Sequence, residues 1–485
     1  MHKRVTRRDF TRWLGLSSSA AVLPSGPALP LEGIAKSPEK SGFPTGFVWG
    51  AATSAYQIEG APEEDGRGLS IWDTFSRVPT NTYTGDSGDT ADDHFHRYRE
   101  DVEIMRSLGL KAYQFSISWP RIFPVGKGAP NPKGWGFYDR LLDALLEAGI
   151  KPYCVLYHWD LPQALMDDGG WQSRDTAKAF ADYSAFAARH LGDRINHFIT
   201  MSEVTQFAEG GYGDGTDAPG LKLSRGEVAQ VTHLALLGHG LSVQAVRANS
   251  PASTKVGIAE NAASTIPVIA TPENIAAARV AYREENARSL TVLMEGRYTD
   301  LFLKDLGADA PKFSAEDLKT ISTPLDFIGL NIYDPTWIRA TTREPGYEVI
   351  ELPKSYPRMA AGWLGIAPEA MYWSPKLLHE LWSVKEIYIT ENGVASLDVP
   401  NKGEEVLDVD RVEFLRGYLS QLLRTVEDGV PVRGYFLWSL LDNYEWSDGY
   451  RMRFGITYVD YRTQKRTIKL SGEFYKRLIA HNNVL

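Results

Sequence analysis

The chain contains the stretch EIYITENG at residues 386–393, which has the composition of a buried β-strand followed by a loop. Residues 387–389 favour the extended conformation, and Asn392-Gly393 interrupts it. Glu391 therefore falls at the carboxyl end of a strand, which in a barrel of parallel strands is the end where catalytic groups lie. An isolated glutamate here is also compatible with an exposed acid or a helix N-cap, so the assignment depends on the rest of the chain.

Strand-like and helix-like segments alternate from residue 47 onward, without a linker that marks a second domain. The predicted strands cover residues 47–57, 112–119, 151–159, 197–203, 255–260, 325–333, 386–391 and 432–440. The predicted helices cover residues 91–108, 136–148, 174–191, 231–248, 275–305, 375–382, 411–428 and 471–480. This order predicts an α/β fold, a single (β/α)8 TIM barrel with elaborated loops. A doubly wound open sheet is the alternative, but residues 49–52 lack the glycine spacing of a dinucleotide-binding loop.

The composition is that of a soluble globular protein and argues against two classes of partner. Of the 485 residues, 43% are hydrophobic and 23% are charged. The formal charge of −9 and the absence of a basic stripe after the first dozen residues argue against a nucleic-acid partner. No segment is long and apolar enough to predict stable insertion into a membrane.

The N-terminus resembles a bacterial twin-arginine export signal. The sequence TRRDFTR at residues 6–12 precedes a mildly apolar stretch at 13–23, and a run rich in Pro, Gly and Ser follows. We therefore expect residues 1–40 to be a signal peptide and disordered linker and residues 41–485 to form the barrel domain. The expected partner is the twin-arginine translocation machinery, and the expected location is the periplasm or outside the cell. A disordered basic tail is the alternative, and the sequence does not define the cleavage site.

No metal ion or organic cofactor is predicted. His94 and His96 lie beside Asp93, but with this spacing their side chains point apart on a helix, so we interpret them as structural. The single cysteine, Cys154, can form no intrachain disulfide. It lies in an apolar strand, where a buried thiol is expected to be inert.

Two glutamates end predicted strands on nearly opposite sides of the barrel mouth. Glu203 ends the fourth strand and Glu391 ends the seventh. Two carboxyl groups roughly 5 Å apart suit glycoside hydrolysis with retention of configuration. One attacks the anomeric carbon, while the other protonates the leaving oxygen and later activates water. Their pKa values must differ, because the nucleophile must be ionised while the acid is protonated.

Motifs over about residues 47–475 resemble those of glycoside hydrolase family 1, the β-glucosidase family. The most specific one is WSLLDNYEW at residues 438–446. The others are YQIEGA at 56–61, YHWDLP at 157–162, GY at 211–212, APG at 218–220, DFIGLNIY at 326–333, GW at 362–363, TENG at 390–393, RFG at 453–455 and VDY at 459–461.

The resemblance implies a retaining β-glycosidase that acts on a small, glucose-like β-glycoside. It implies Glu391 as the nucleophile, Glu203 as the acid/base, and a hydrogen bond from Tyr333 to the nucleophile. Trp363 would be the platform for the aglycone, and Trp438 would stack on the sugar. The substrate-binding residues that it implies are Gln57, His158, Trp159, Ser202, Asn331, Tyr333, Trp363, Trp438, Glu445, Trp446 and Phe454.

Two residues at the expected active centre depart from the family pattern. The family usually has Asn-Glu-Pro at the acid/base, where this chain has Ser202-Glu203-Val204. The family Asn binds the 2-hydroxyl of the sugar, and serine is shorter with fewer hydrogen-bonding groups. The family usually has Arg where this chain has Gln114, which can donate a hydrogen bond but carries no charge. We therefore expect a less depressed nucleophile pKa than in relatives, and either a glycone altered at its 2-position, a specialised aglycone or weakened turnover.

Two other functions fit the same residues. One is a sugar-binding protein without turnover, which the changes at Ser202 and Gln114 favour and the retention of both carboxylates opposes. The other is a transglycosidase, in which an alcohol instead of water intercepts the glycosyl-enzyme. The sequence predicts neither the aglycone nor the oligomeric state.

Overall fold

A parallel barrel of eight strands forms the centre of the fold, in a computed structural model that describes residues 42–485. The predicted signal segment therefore lies outside the described residues. The strands are β1 Val48–Ala52, β2 Ala112–Ser116, β3 Lys151–Tyr157, β4 His197–Ser202, β5 Lys255–Asn261, β6 Ser264–Pro267, β7 Phe327–Asn331, β8 Pro335–Ala340, β9 Tyr347–Val349, β10 Ile387–Glu391, β11 Val432–Trp438, β12 Thr457–Asp460 and β13 Lys465–Ile468. The barrel closes in the order β1-β11-β10-β7-β5-β4-β3-β2, which confirms the predicted (β/α)8 architecture.

Helices alternate with the barrel strands and cover them. They are α1 Ala55–Ile58, α2 Ile71–Ser76, α3 His94–Leu108, α4 Trp119–Ile122, α5 Pro132–Glu147, α6 Gln163–Asp167, α7 Arg174–Leu191, α8 Val204–Ala208, α9 Arg225–Asn249, α10 Pro272–Glu285, α11 Leu290–Glu295, α12 Asp300–Leu306, α13 Ala315–Ile321, α14 Ala370–Trp382, α15 Val409–Glu427 and α16 Leu470–His481. The barrel strands are buried along nearly their whole length, as expected when helices cover a parallel sheet. Helix α7 has the predicted bounds.

The first predicted strand is too long. Strand β1 ends at Ala52, and the residues around Gln57 form the short helix α1. The turn is held by two side-chain contacts, since Ala55 N–H donates to Ser116 Oγ at 2.7 Å and Ser54 Oγ donates to Gln57 Oε1 at 2.6 Å. A barrel strand extends only as far as its neighbours pair with it, and this limit is not visible in the sequence of one strand.

Three predicted helices differ from the structure by five residues or more at a boundary or in continuity. The predicted helix at 231–248 begins earlier, at Arg225. The predicted helix at 275–305 is three helices, α10 to α12, and α11 ends at Gly296 in the left-handed conformation with φ 65°. The predicted helix at 375–382 begins earlier, at Ala370, so that Pro375 lies inside it. Proline cannot donate to the carbonyl of Met371. The Thr425 hydroxyl lies within hydrogen-bond distance of that carbonyl, at 3.1 Å, and of the Gln421 carbonyl, at 2.8 Å.

Five short strands were not predicted, and they belong to the loops. Strands β6, β8 and β9 form one sheet, and β12 and β13 form a hairpin. Strand β6 follows β5, β8 follows β7, and the hairpin follows β11, so these additions extend the carboxyl ends of barrel strands. This is the end where the predicted site residues cluster.

Membrane spans and metal clusters are not found within residues 42–485. No helix there combines the length and apolar character needed to cross a bilayer. No group of three or more His, Cys, Asp or Glu side chains in the same range is placed to hold a metal ion. Cys154 is buried in β3 as expected, and burial raises the pKa of its thiol. His94 bonds Asp101 at 2.7 Å, which fits a structural role.

Candidate active site

Glu203 and Glu391 lie at the carboxyl ends of their strands and are buried, with exposed fractions of 6% and 4%. Glu391 is the last residue of β10. Glu203 follows β4 and caps α8 in the left-handed conformation, with φ 56° and ψ 61°. This conformation costs a residue with a side chain about 1–2 kcal/mol, so neighbouring contacts must hold it. One of these is the hydrogen bond from Glu203 N–H to the Ala259 carbonyl, at 2.8 Å.

Asn331 brings the two carboxyl groups into one site. It is the last residue of β7 and pairs in register with Glu391 on the neighbouring strand β10. Its Nδ2 donates to Glu203 Oε1 at 2.7 Å and lies 3.4 Å from Ser202 Oγ. The Thr390 hydroxyl donates to Asn331 Oδ1 at 2.7 Å, which orients the amide so that its NH2 group faces Glu203.

The groups around Glu391 follow the resemblance at one position and depart from it at another. Tyr333 Oη donates to Glu391 Oε2 at 3.1 Å, the contact that the resemblance implies, and the edge of Phe454 packs against the Tyr333 ring. Gln114, in contrast, donates its side-chain N–H to the Thr390 carbonyl at 3.2 Å. Gln114 therefore supports the strand beside Glu391 and supplies no charge to the carboxylate.

Burial raises the pKa of both glutamates. The pKa of Glu203 rises to about 7 because the carboxyl group is desolvated, and the hydrogen bond from Asn331 partly offsets this. Desolvation and the negative charge of Glu203 raise the pKa of Glu391, while the hydrogen bond from Tyr333 opposes the rise. Since each carboxylate disfavours ionisation of the other, the pair is expected to hold one proton near neutral pH.

Gln57 and Glu445 meet at the side of the site formed by β1 and the loop after β11. Gln57 Nε2 donates to the Tyr444 carbonyl at 2.9 Å, to Asn443 Oδ1 at 3.1 Å and to Glu445 Oε2 at 3.3 Å. Desolvation and the nearby Asp448 raise the pKa of Glu445 to about 8. These amide and carboxyl groups offer both donors and acceptors for sugar hydroxyls.

Aromatic rings form a continuous stack beside the carboxyl groups. His158 lies 5.9 Å from both Trp438 and Trp446, and Trp159 stacks on Trp446 at 4.6 Å. Trp159 Nε1 donates to the Ser202 carbonyl at 3.0 Å, which connects the stack to the strand that carries Glu203. Burial lowers the pKa of His158 to about 3, so its imidazole is neutral.

Trp363 is the predicted site residue that the structure does not bring into this cluster. Its side chain lies on the loop before α14 with 58% of its surface exposed, and it takes part in none of the contacts above. Its exposed indole remains available for contact with another molecule.

Glu260, near the end of β5, was not predicted as a site residue. It is fully buried, and its Oε1 accepts the Val204 N–H at 3.2 Å, one residue from Glu203. Burial raises its pKa to about 8. The signal was present, because Glu260 ends a predicted strand just as Glu203 and Glu391 do.

Comparisons with known proteins agree on one family. The model described as Glycosyl hydrolase family 1 matches residues 39–484. The 1,4-beta-D-glucan glucohydrolase of Thermotoga neapolitana is 44% identical over 443 residues, which cover 91% of this chain and 99% of that protein. Beta-glucosidase A of Thermotoga maritima is 42% identical, covering 91% of this chain and 98% of that protein. The solved structure of a family 1 β-glucosidase from Thermotoga maritima is similar with a TM-score of 0.84 and 41% identity, covering 92% of this chain and 99% of that one.

Proposed function

The chain belongs to glycosyl hydrolase family 1, and from this membership we propose that it hydrolyses small β-glycosides of glucose-like sugars with retention of configuration. Asn331 is the observation that carries the proposal, because it joins two buried carboxyl groups from different strands in one site. Burying carboxyl groups destabilises the folded state, and buried carboxyl groups with raised pKa values are typical of active sites that use acid/base chemistry.

The proposed mechanism uses two displacements. Glu391, oriented by Tyr333, attacks the anomeric carbon as a carboxylate, while Glu203 transfers its proton to the leaving oxygen. The covalent glycosyl-enzyme on Glu391 forms as the bond to the aglycone breaks. Glu203, now ionised, then removes a proton from water, which attacks the anomeric carbon and releases Glu391. The first step requires the proton shared by the pair to lie on Glu203, and the hydrogen bond from Tyr333 favours the ionised form of Glu391.

Purified protein and a panel of p-nitrophenyl β-glycosides test this function. We expect release of p-nitrophenol from the β-glucoside, and loss of most activity on an unactivated alkyl β-glucoside in Glu203→Ala. Glu386→Gln is the matched control, because Glu386 pairs with Lys255 at 2.6 Å beside the opposite end of β10. No release from any glycoside, together with binding of a gluconolactone-type inhibitor, would instead indicate a sugar-binding protein. Product analysis with added alcohols distinguishes hydrolysis from transglycosylation.

Ser202 and Gln114 point to a glycone altered at its 2-position. In family 1 this region meets the 2-hydroxyl of the sugar, and here Ser202 presents a short hydroxyl next to Asn331. Gln114 turns to the Thr390 carbonyl. We interpret both as adaptations of a working enzyme, since the residues for two displacements are retained.

We further propose export by the twin-arginine route to the periplasm or beyond, from the sequence at residues 6–23. Replacing both Arg7 and Arg8 by lysine is expected to retain the protein in the cytoplasm, as cell fractionation would measure. Arg12→Lys, outside the pair, is the control. Unchanged export of the Lys-Lys variant would exclude this route.

A further inference from the structure

The backbone N–H groups of Glu203 and Val204 both donate hydrogen bonds to residues of β5. The Glu203 N–H donates to the Ala259 carbonyl at 2.8 Å, and the next N–H, that of Val204, donates to Glu260 Oε1 at 3.2 Å. The pairing of Ser202 with Ala259 sets this register. The N–H groups of residues 203 and 204 therefore bond two successive residues of β5.

Glu203 needs these hydrogen bonds because its backbone conformation is unusual. Residues that cap a helix N-terminus normally adopt an extended conformation, whereas Glu203 has φ 56° and ψ 61°. The N–H groups of the first turn have no partners inside the helix, so the Val204 N–H requires an acceptor from outside α8. Glu260 is that acceptor, and without it the buried N–H would favour a different path of the chain through Glu203.

Glu260 is fully buried, and burying a carboxyl group costs free energy. Here the group provides a single hydrogen-bond acceptor for the backbone. The groups that act on Glu260 are the Val204 N–H, the negative charge of Glu203 and the Ser289 hydroxyl, so no cation offsets the burial. With a pKa of about 8, Glu260 is neutral at pH 7 and leaves Glu203 without a second negative charge. A neutral acid and a glutamine amide have the same shape and the same accepting oxygen.

We propose that Glu260 is a positioning residue for Glu203. By accepting the Val204 N–H it holds Glu203 in the left-handed conformation that directs the carboxyl group to Asn331 and to the leaving oxygen. The proposal rests on the acid/base role given to Glu203 above, and it predicts a specific loss of proton transfer when the acceptor is removed.

The test compares Glu260→Leu and Glu260→Gln with the wild type on two substrates, a 2,4-dinitrophenyl and an unactivated alkyl β-glucoside. The ratio kcat/KM reports the first displacement, in which only the poor leaving group needs the proton. We expect Glu260→Leu to lower kcat/KM roughly tenfold or more for the alkyl glucoside and less than about threefold for the activated glucoside. Glu260→Gln should stay within about threefold of wild type on both, since its amide oxygen replaces the acceptor.

A second arm places Glu260→Leu in the Glu203→Ala background, where it should cause no further loss. If the leucine variant does not fold, Glu260→Asp provides the same test, because its shorter side chain withdraws the oxygen from Val204. Equal losses on both substrates, failure of Glu260→Gln to rescue, or a further loss without Glu203 would overturn the positioning role. A wild type that hydrolyses neither substrate would instead overturn the proposed function and this inference with it.

Discussion

At the scale of single residues, Glu391 and the residue before it accept hydrogen bonds from neutral side chains. Tyr333 donates to it at 3.1 Å, while Gln114 donates to the Thr390 carbonyl at 3.2 Å. An uncharged amide exerts no Coulomb attraction, so burial and the charge of Glu203 raise the pKa of Glu391. Ionisation of the proposed nucleophile therefore depends on neutral donors.

Glu391→Ala is expected to abolish hydrolysis because no other group can attack the anomeric carbon. Added azide should restore turnover on an activated β-glucoside and yield the α-glycosyl azide, since a small anion attacks directly and inverts the configuration. NMR of the product measures this outcome. A β-configured azide product would exclude Glu391 as the nucleophile.

The double variant Ser202→Asn and Gln114→Arg tests whether the two departures are adaptations. It should lose activity on 2-substituted glycosides and gain about threefold to tenfold on plain β-glucosides, because one neutral hydrogen bond contributes about 0.5–1.5 kcal/mol. The arginine should lower the pKa of Glu391 and move the acidic limb of the pH profile to lower pH. Improved kcat/KM on every glycoside of the panel would show that the departures are defects.

At the scale of elements, the loops that leave β10 and β11 pack backbone against backbone. Gly393 follows Glu391 by two residues, and a methyl group there would overlap the Trp438 carbonyl oxygen. Trp438 N–H also donates to the Asn392 carbonyl at 3.0 Å, so the two loops cannot separate without losing that bond. The position of Glu391 relative to the aromatic stack depends on this close approach.

Gly393→Ala is therefore expected to destabilise the protein by at least about 1–3 kcal/mol and to lower kcat, because rigid backbone must shift. Gly136→Ala is the matched control, since Gly136 lies in α5 and an added methyl group meets only a side-chain nitrogen of Arg140, at 3.7 Å. That change should stabilise the protein by about 0.5–1 kcal/mol. Urea unfolding compares the two. Equal stability of both variants would contradict the predicted clash.

At the scale of the whole molecule, the barrel mouth concentrates buried acids that stay protonated in the fold. Burial raises the pKa of Glu203 to about 7 and the pKa values of Asp160, Glu260 and Glu445 to about 8. The unfolded chain releases the same protons near pH 4. Above about pH 6.5 the buried histidines, whose pKa values burial lowers, are neutral in both states, so the folded state binds more protons there and stability falls as pH rises.

We expect Tm to decrease from about pH 6.5 towards pH 8, whereas below about pH 6.5 the buried histidines oppose this trend, because only the unfolded chain protonates them. Below about pH 4 the sign reverses, because Arg174 lowers the pKa of Asp317 and protonation of Asp317 removes that ion pair. Scanning calorimetry across pH 3–9 measures the profile. Glu260→Gln, which cannot ionise, should reduce the decrease on the alkaline side. A Tm that rises from about pH 6.5 to pH 8 would contradict the prediction.

The predictions from sequence were correct where interactions between residues close in the chain determine the structure. Helix α7 was predicted with its exact bounds because its apolar periodicity and its flanking residues are visible in a short window. The predictions were wrong where residues far away in the chain determine where an element begins or ends. Strand β1 ends where its neighbours stop pairing. Pro375 lies inside α14, where the carbonyl that it cannot bond lies 3.1 Å from the hydroxyl of Thr425, fifty residues away in the chain.

The sequence by itself determined the order of eight strands and their helices, and the presence of a glutamate at the ends of the fourth and seventh strands. Only the tertiary structure decided that Asn331 joins them, that Gln114 turns to the Thr390 carbonyl and that Glu260 accepts the Val204 N–H. Each of these contacts joins different barrel strands or the segments directly after them, and it forms only when the barrel closes.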